Sequence, residues 1–186
     1  MTLGVFTGHS PVDGGGRVVL IGMMGAGKTT VGRLVADQLG WEFVDTDAEV
    51  VASTGHTIAE LFERCGEAGF RREESRVLAR VLATDRTVLA VGGGTVLDPI
   101  NAALVRSQAT VVWLRASVDT LLRRIGTGAG RPMLKEDPTT LVPRLDSARR
   151  PLYKVLAHVT VDVDDLDPTT AAGRVMAYLE HATVER

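Results

Sequence analysis

A single cysteine, Cys65, excludes an internal disulfide among the 186 residues. Its place in a helical stretch reads as a small half-buried hydrophobe rather than a nucleophile. Histidine is scarce too, and the four residues at 9, 56, 158 and 181 show no metal-ligand spacing. No apolar run approaches the length of a membrane span. The start, MTLGVFTGHSPVDGGG, lacks a basic segment followed by an apolar one, so no secretory signal is read there. An excess of one charge is also missing. The formal net charge is −2, which argues against nucleic acid or a membrane surface as partner, since both favour a basic excess. These absences point to a cytoplasmic protein without nucleic-acid or membrane partners, and the chain is expected to be a monomer.

What is present suits one domain of ordinary size: 45% hydrophobic and 24% charged residues. Residues 1–16 are glycine-rich and aperiodic, so they read as a flexible extension before a domain over 17–186. From Arg17 onward, short valine- and leucine-rich runs alternate with helical patterns. Strands are expected at Arg17–Gly22, Glu42–Asp45, Val88–Val91, Thr110–Leu114 and His158–Val163, of the kind buried on both faces of a parallel sheet. Helices are expected near Lys28–Leu39, Asp47–Ser53, Ile58–Leu82, Pro99–Arg106, Ser117–Ile125, Thr139–Leu156 and Thr169–His181. The long one should break near Cys65-Gly66. Helices separating strands give a three-layer αβα sandwich.

Eight residues, Gly22-Met23-Met24-Gly25-Ala26-Gly27-Lys28-Thr29, fit the phosphate-binding pattern G-x-x-x-x-G-K-[ST] at every fixed position. They follow the apolar run Val18–Ile21 and precede a helical pattern. A strand that ends in glycines and feeds a helix aims backbone N–H groups and the positive end of the helix dipole at one spot. Lys28 can then reach the β- and γ-phosphates, and the Thr29 hydroxyl can ligate Mg²⁺. This implies a nucleoside triphosphate as ligand.

An acidic partner for that magnesium is expected at a strand end. The third strand ends in Gly92-Gly93-Gly94 without a carboxylate, whereas the second ends in Asp45-Thr46-Asp47. One of these two aspartates is expected to face magnesium and the other a substrate hydroxyl. Alternatively, they are helix N-caps. Three consecutive glycines after a buried strand suggest that a small substrate approaches bare backbone N–H groups, or a tight turn. Gly126–Pro132 reads as a lid carrying Arg131, within a segment at about 126–138, or else as an ordinary surface loop. Arg71-Arg72 and Arg149-Arg150 are either solvated faces or, with Arg131, guanidinium groups turned on one anionic substrate.

Taken in order, the phosphate loop, Asp45-Thr46-Asp47, Phe70-Arg71-Arg72-Glu73-Glu74, Gly92-Gly93-Gly94, Arg131-Pro132-Met133-Leu134 and Arg149-Arg150-Pro151-Leu152-Tyr153 resemble shikimate kinase, from Arg17 to the last helix. The resemblance implies a P-loop fold of the nucleoside-monophosphate-kinase type, with a five-stranded parallel sheet in the order 2-3-1-4-5. It implies transfer of phosphate from ATP to the 3-hydroxyl of shikimate, giving 3-phosphoshikimate and ADP on the route to chorismate and the aromatic amino acids. It also implies the site. Gly25, Ala26, Gly27, Lys28, Thr29 and Thr30 would hold the phosphates, with Arg131 as the lid arginine, and Arg124 and Pro168 would pack the adenine. Thr29 would bind Mg²⁺ directly and Asp45 through water. Asp47 would orient the attacking hydroxyl, Arg71 and Arg149 would grip the carboxylate, and Gly92, Gly93 and Gly94 would line the pocket. The role of Arg150, next to Arg149, stays open. So do two rivals: a gluconate or nucleoside-monophosphate kinase on the same fold, and a nucleotide-binding module without transfer.

Overall fold

Valine-rich runs with apolar side chains on both faces can be buried only between two layers, and the structure places them so. In the computed structural model, which describes residues 16–126 and 137–184, five strands form one parallel sheet. They are β1 (Arg17–Ile21), β2 (Glu42–Asp45), β3 (Thr87–Ala90), β4 (Thr110–Arg115) and β5 (Val159–Asp162). Their order is β2-β3-β1-β4-β5, as expected. Register is set by the central pairs: Val18 lies opposite Val88 on β3 and Thr110 on β4. Val18, Val19, Leu20 and Ile21 are buried, as are all four residues of β3.

Among the described residues, seven helices connect or close the strands: α1 (Lys28–Leu39), α2 (Thr46–Thr54), α3 (Ile58–Leu82), α4 (Pro99–Gln108), α5 (Val118–Ile125), α6 (Pro138–Leu156) and α7 (Pro168–Val184). The β1-α1-β2 crossover runs toward one sheet edge, while the later crossovers run back toward the other. With right-handed connections this sends α1 to one face and α3, α4 and α6 to the opposite face. The contacts agree: α1 packs on α7, α3 on α4, and both α4 and α6 on β4.

The helix starts are written locally. Asp45 caps α2, a Thr57/Glu60 capping box opens α3, Asp98 and Pro99 open α4, and Ser117 caps α5. Asp137 caps α6, and Asp167 accepts from the first N–H groups of α7. The break expected in α3 falls at Gly66, whose φ of 67° lies in the left-handed region. Cys65 departs from expectation, for it is exposed: the kink at the next residue interrupts the buried stripe between Leu61 and Gly69.

Element ends also shift. The helix after β2 starts at Thr46, not Asp47, because the Asp45 side chain caps it. A short 3₁₀ turn, Thr95–Leu97, follows the glycine triplet and was not foreseen. β5 begins at Val159 because His158 meets β4 partly through its ring, with Nδ1 accepting from Val111 N–H at 2.9 Å. Gly16 is tied down by a bond from Thr87 N–H to its carbonyl, 3.0 Å, whereas residues 1–15 lie outside the described residues. Arg131 and most of the proposed lid, 127–136, lie outside them too. Among the described residues, no helix is long and apolar enough to cross a membrane.

Candidate active site

Every helix whose start is described carries a side-chain cap except α1. Its N-cap is Gly27, with φ 92°, no side chain accepts from the first turn, and no acid sits there. The first turn of α1, uncapped by any side chain, and the positive end of the helix dipole therefore face a cavity, which is what a phosphate requires. Gly22 makes the loop possible, since a Cβ there would stand 2.5 Å from the Leu114 carbonyl. Lys28 Nζ donates to the carbonyls of Gly22 and Met23 at 2.9 and 3.0 Å, which holds the ammonium inside the loop.

The cavity measures about 770 Å³ and lies at the C-terminal edge of the strands, where open α/β sheets bind ligands. Gly25, Gly27, Lys28, Thr29 and Thr30 form one wall, and Asp45 and Asp47 stand beside them. Arg71, Gly92, Gly93, Gly94 and Arg149 also line the cavity, as does Arg124. A smaller adjoining space of about 210 Å³ is lined by Ala26, Gly27, Thr30, Arg124, Leu166 and Pro168. Arg124 is steadied there by a 2.7 Å bond to the Val163 carbonyl. Every described residue to which the resemblance assigns a part in the site lies on one of these two spaces, whereas Arg72 and Arg150 line neither.

Asp47 does not lie on extended chain, because α2 begins at Thr46. Asp45 is a cap, accepting at Oδ1 from the N–H groups of Asp47 and Ala48. Its Oδ2 accepts from the Thr29 hydroxyl at 2.8 Å, so a hydroxyl and a carboxylate oxygen sit together beside the phosphate loop. These hard oxygen donors fit Mg²⁺. Asp47 lies in the first turn of α2, half-buried, with its carboxyl pushed up from 3.8 to about 6. Burial is the main cause, followed by the charges of Glu74 and Asp45; Lys28 and Arg71 pull the other way.

Glu74 was not read from the sequence as a site residue, although its spacing of three from Arg71 on a helix was visible. It is 1% exposed, forms an ion pair with Arg71 Nη1 at 2.7 Å and accepts from the Thr95 hydroxyl at 2.5 Å. Its charge, together with that of Glu67, holds the Arg71 pKa above its ordinary value although burial opposes this. The glycine triplet sits against these groups. A Cβ at Gly92 would come within 2.6 Å of Glu74 Oε1, at Gly93 within 3.0 Å of Arg149 Nη1, and at Gly94 within 2.7 Å of Arg71 Nη2. Space for protein side chains is what demands glycine here. One backbone donor expected to face substrate is already used, since Gly92 N–H donates to the buried Thr46 hydroxyl at 3.2 Å.

Arg149 and Arg150 part company. Successive residues on a helix point about 100° apart. Arg149 lines the cavity, whereas Arg150 pairs with Asp146 at 2.8 Å and donates to the Ala116 carbonyl at 3.2 Å. The Arg150 guanidinium is thus engaged away from the cavity.

The sequence profile of the shikimate kinase family matches residues 24–180. A shikimate kinase of Paramagnetospirillum magneticum is 44% identical over 163 residues, covering 87% of this chain and 83% of its own. One of Stenotrophomonas maltophilia is 45% identical over 84% of this chain and 86% of its own. Among solved structures, the shikimate kinase of Acinetobacter baumannii in complex with shikimate superposes with a TM-score of 0.86 at 36% identity, covering 90% of this chain and 94% of that one.

Proposed function

The chain belongs to the shikimate kinase family, and on that footing we propose that it transfers the terminal phosphate of ATP to the 3-hydroxyl of shikimate, serving the supply of chorismate and the aromatic amino acids. One observation carries the substrate assignment: two arginines and a carboxylate of raised pKa share a cavity with the phosphate loop. Arginines suit a substrate carboxylate, and Asp47 suits a substrate hydroxyl. A gluconate or nucleoside-monophosphate kinase has no evident use for the Arg71–Glu74 pair packed against the glycine triplet. A module that merely holds nucleotide has no use for Asp47.

In the mechanism proposed, the backbone N–H groups at the start of α1 and the Lys28 side chain bind the triphosphate. Adenine occupies the smaller space beside Arg124 and Pro168. Thr29 would hold Mg²⁺ directly and Asp45 through water, and the ion would neutralise charge on the β- and γ-phosphates. Arg71 and Arg149 grip the shikimate carboxylate, so the ring presents its hydroxyl to Asp47. At neutral pH Asp47 is largely ionised and accepts a hydrogen bond from that hydroxyl. Phosphoryl transfer passes through a loose transition state in which the proton leaves late, so orientation is the larger part of its contribution. Lys28 and, on the segment outside the described residues, Arg131 would stabilise charge on the moving group. We extend the proposal to a cytoplasmic monomer.

A coupled ADP-release assay tests it, with shikimate, gluconate, a nucleoside monophosphate or no acceptor added to ATP and Mg²⁺. ADP formation that depends on shikimate alone is the expected result. Equal ADP release with and without shikimate refutes the assignment.

A further inference from the structure

The two arginines assigned to the carboxylate are held in different ways. Arg71 is clamped by Glu74 and Glu67. Arg149 has a buried Nε without a hydrogen-bond partner, and its Nη1 rests 4.0 Å from Met23 Sδ of the phosphate loop. One helical turn along α6 lies Tyr153, fully buried, with its ring packed against Trp113 of β4 at 5.9 Å between centroids. Its hydroxyl donates to the Gly93 carbonyl at 2.5 Å and lies 4.0 Å from the same Met23 Sδ. A Cβ added to Gly93 would touch Arg149 Nη1 at 3.0 Å and the Tyr153 hydroxyl at 3.5 Å. Phosphate loop, glycine triplet and α6 therefore meet around one hydroxyl. Burial pushes this phenol up to about 12 although the Arg149 charge opposes it, so the group stays a donor.

We infer that Tyr153 is a positioning residue for the carboxylate-binding half of the site, acting on Arg149 through the Gly93 carbonyl. Gly93 lies beside the guanidinium, which makes its carbonyl a competitor for the Arg149 donors. While the Tyr153 hydroxyl occupies it, Arg149 keeps its donors for the substrate. Without that hydroxyl, the part-buried carbonyl lacks its donor and draws Arg149 toward itself, since an acceptor shielded from water is costly to leave unpaired. The ring stack on Trp113 fixes where the hydroxyl stands, so packing of the core sets the aim of a binding residue.

The inference rests on the shikimate reading, and Tyr153→Phe in the full chain tests it because the ring and its packing remain. The expected result is a roughly three- to tenfold higher shikimate KM, the range that corresponds to one lost hydrogen bond. The ATP KM and kcat should stay within about twofold, as expected for a group acting on one substrate's binding. In an Arg149→Ala background the same substitution should leave the shikimate KM unchanged, because the two side chains act as one unit. An unchanged shikimate KM in Tyr153→Phe overturns the inference. So does an equal rise in the Arg149→Ala background, and so does a parallel loss of kcat and melting temperature. Wild-type protein that leaves shikimate unphosphorylated overturns the functional reading itself, a result readily told apart from active wild type with an indifferent variant.

Discussion

Replacing Asp47 by asparagine should stabilise the protein while removing its activity. The Asp47 carboxyl is raised from 3.8 to about 6 on folding. Two units at about 1.4 kcal/mol each mean that the fold disfavours the ionised form by about 3 kcal/mol at neutral pH. The residue keeps some contact with water, and screening reduces the gain expected from asparagine to about 1–2 kcal/mol. For a chain of this size that is a rise in melting temperature of about 3–6 °C. The sign follows from proton linkage. The folded carboxyl keeps its proton to higher pH than the unfolded one, so wild-type stability declines from about pH 4 to about pH 6 and stays lowered above that. The asparagine variant lacks this step. Thermal unfolding at about pH 7.5 and at about pH 4.5, followed by circular dichroism, should show an advantage at the first that shrinks at the second. A variant that melts at or below the wild-type temperature at the higher pH would refute the reasoning, as would an advantage indifferent to pH.

Three further outcomes follow from the same geometry. The rate kcat/KM for shikimate should fall below about pH 6 as Asp47 takes up a proton, and Glu74→Gln should move that acid limb lower by removing a like charge. The same variant should raise the shikimate KM because Arg71 loses its buried partner; an unmoved limb would assign the titration to another group. Arg149→Ala should raise the shikimate KM by tenfold or more, from the loss of a charge-assisted contact of about 1.5–3 kcal/mol. Arg150→Ala should instead leave KM nearly unchanged and lower the melting temperature, and similar kinetics for the two variants would contradict the division of labour. Gly94→Ala places a Cβ 2.7 Å from Arg71 Nη2, so shikimate binding should weaken while a fluorescent nucleotide titration gives normal ATP affinity. Loss of both would mean that the triplet supports the whole cavity.

The sheet was legible because strands buried on both faces need continuous valine and leucine, and Val18–Ile21 or Val111–Leu114 leave no room for another reading. The phosphate loop was legible because its function depends on backbone N–H groups, which need glycine at set spacings. Boundaries were less so. Thr46 reads equally well as strand end or helix start until the Asp45 cap is seen, and the 3₁₀ turn after Gly94 has no periodicity to display.

Chain-local chemistry, then, was carried by the sequence: caps, glycine turns, apolar periodicity, and the side chains that can grip a phosphate or a carboxylate. What required the folded molecule was every property made by residues far apart in the chain. Glu74 bears on Asp47 across 27 positions, and Tyr153 reaches Gly93 across 60. Arg149 and Arg150 are the same residue type side by side, and helical rotation alone sends one to the cavity and the other to Asp146. Burial, charge proximity and side-chain direction arise only when the elements pack, so no motif can state them.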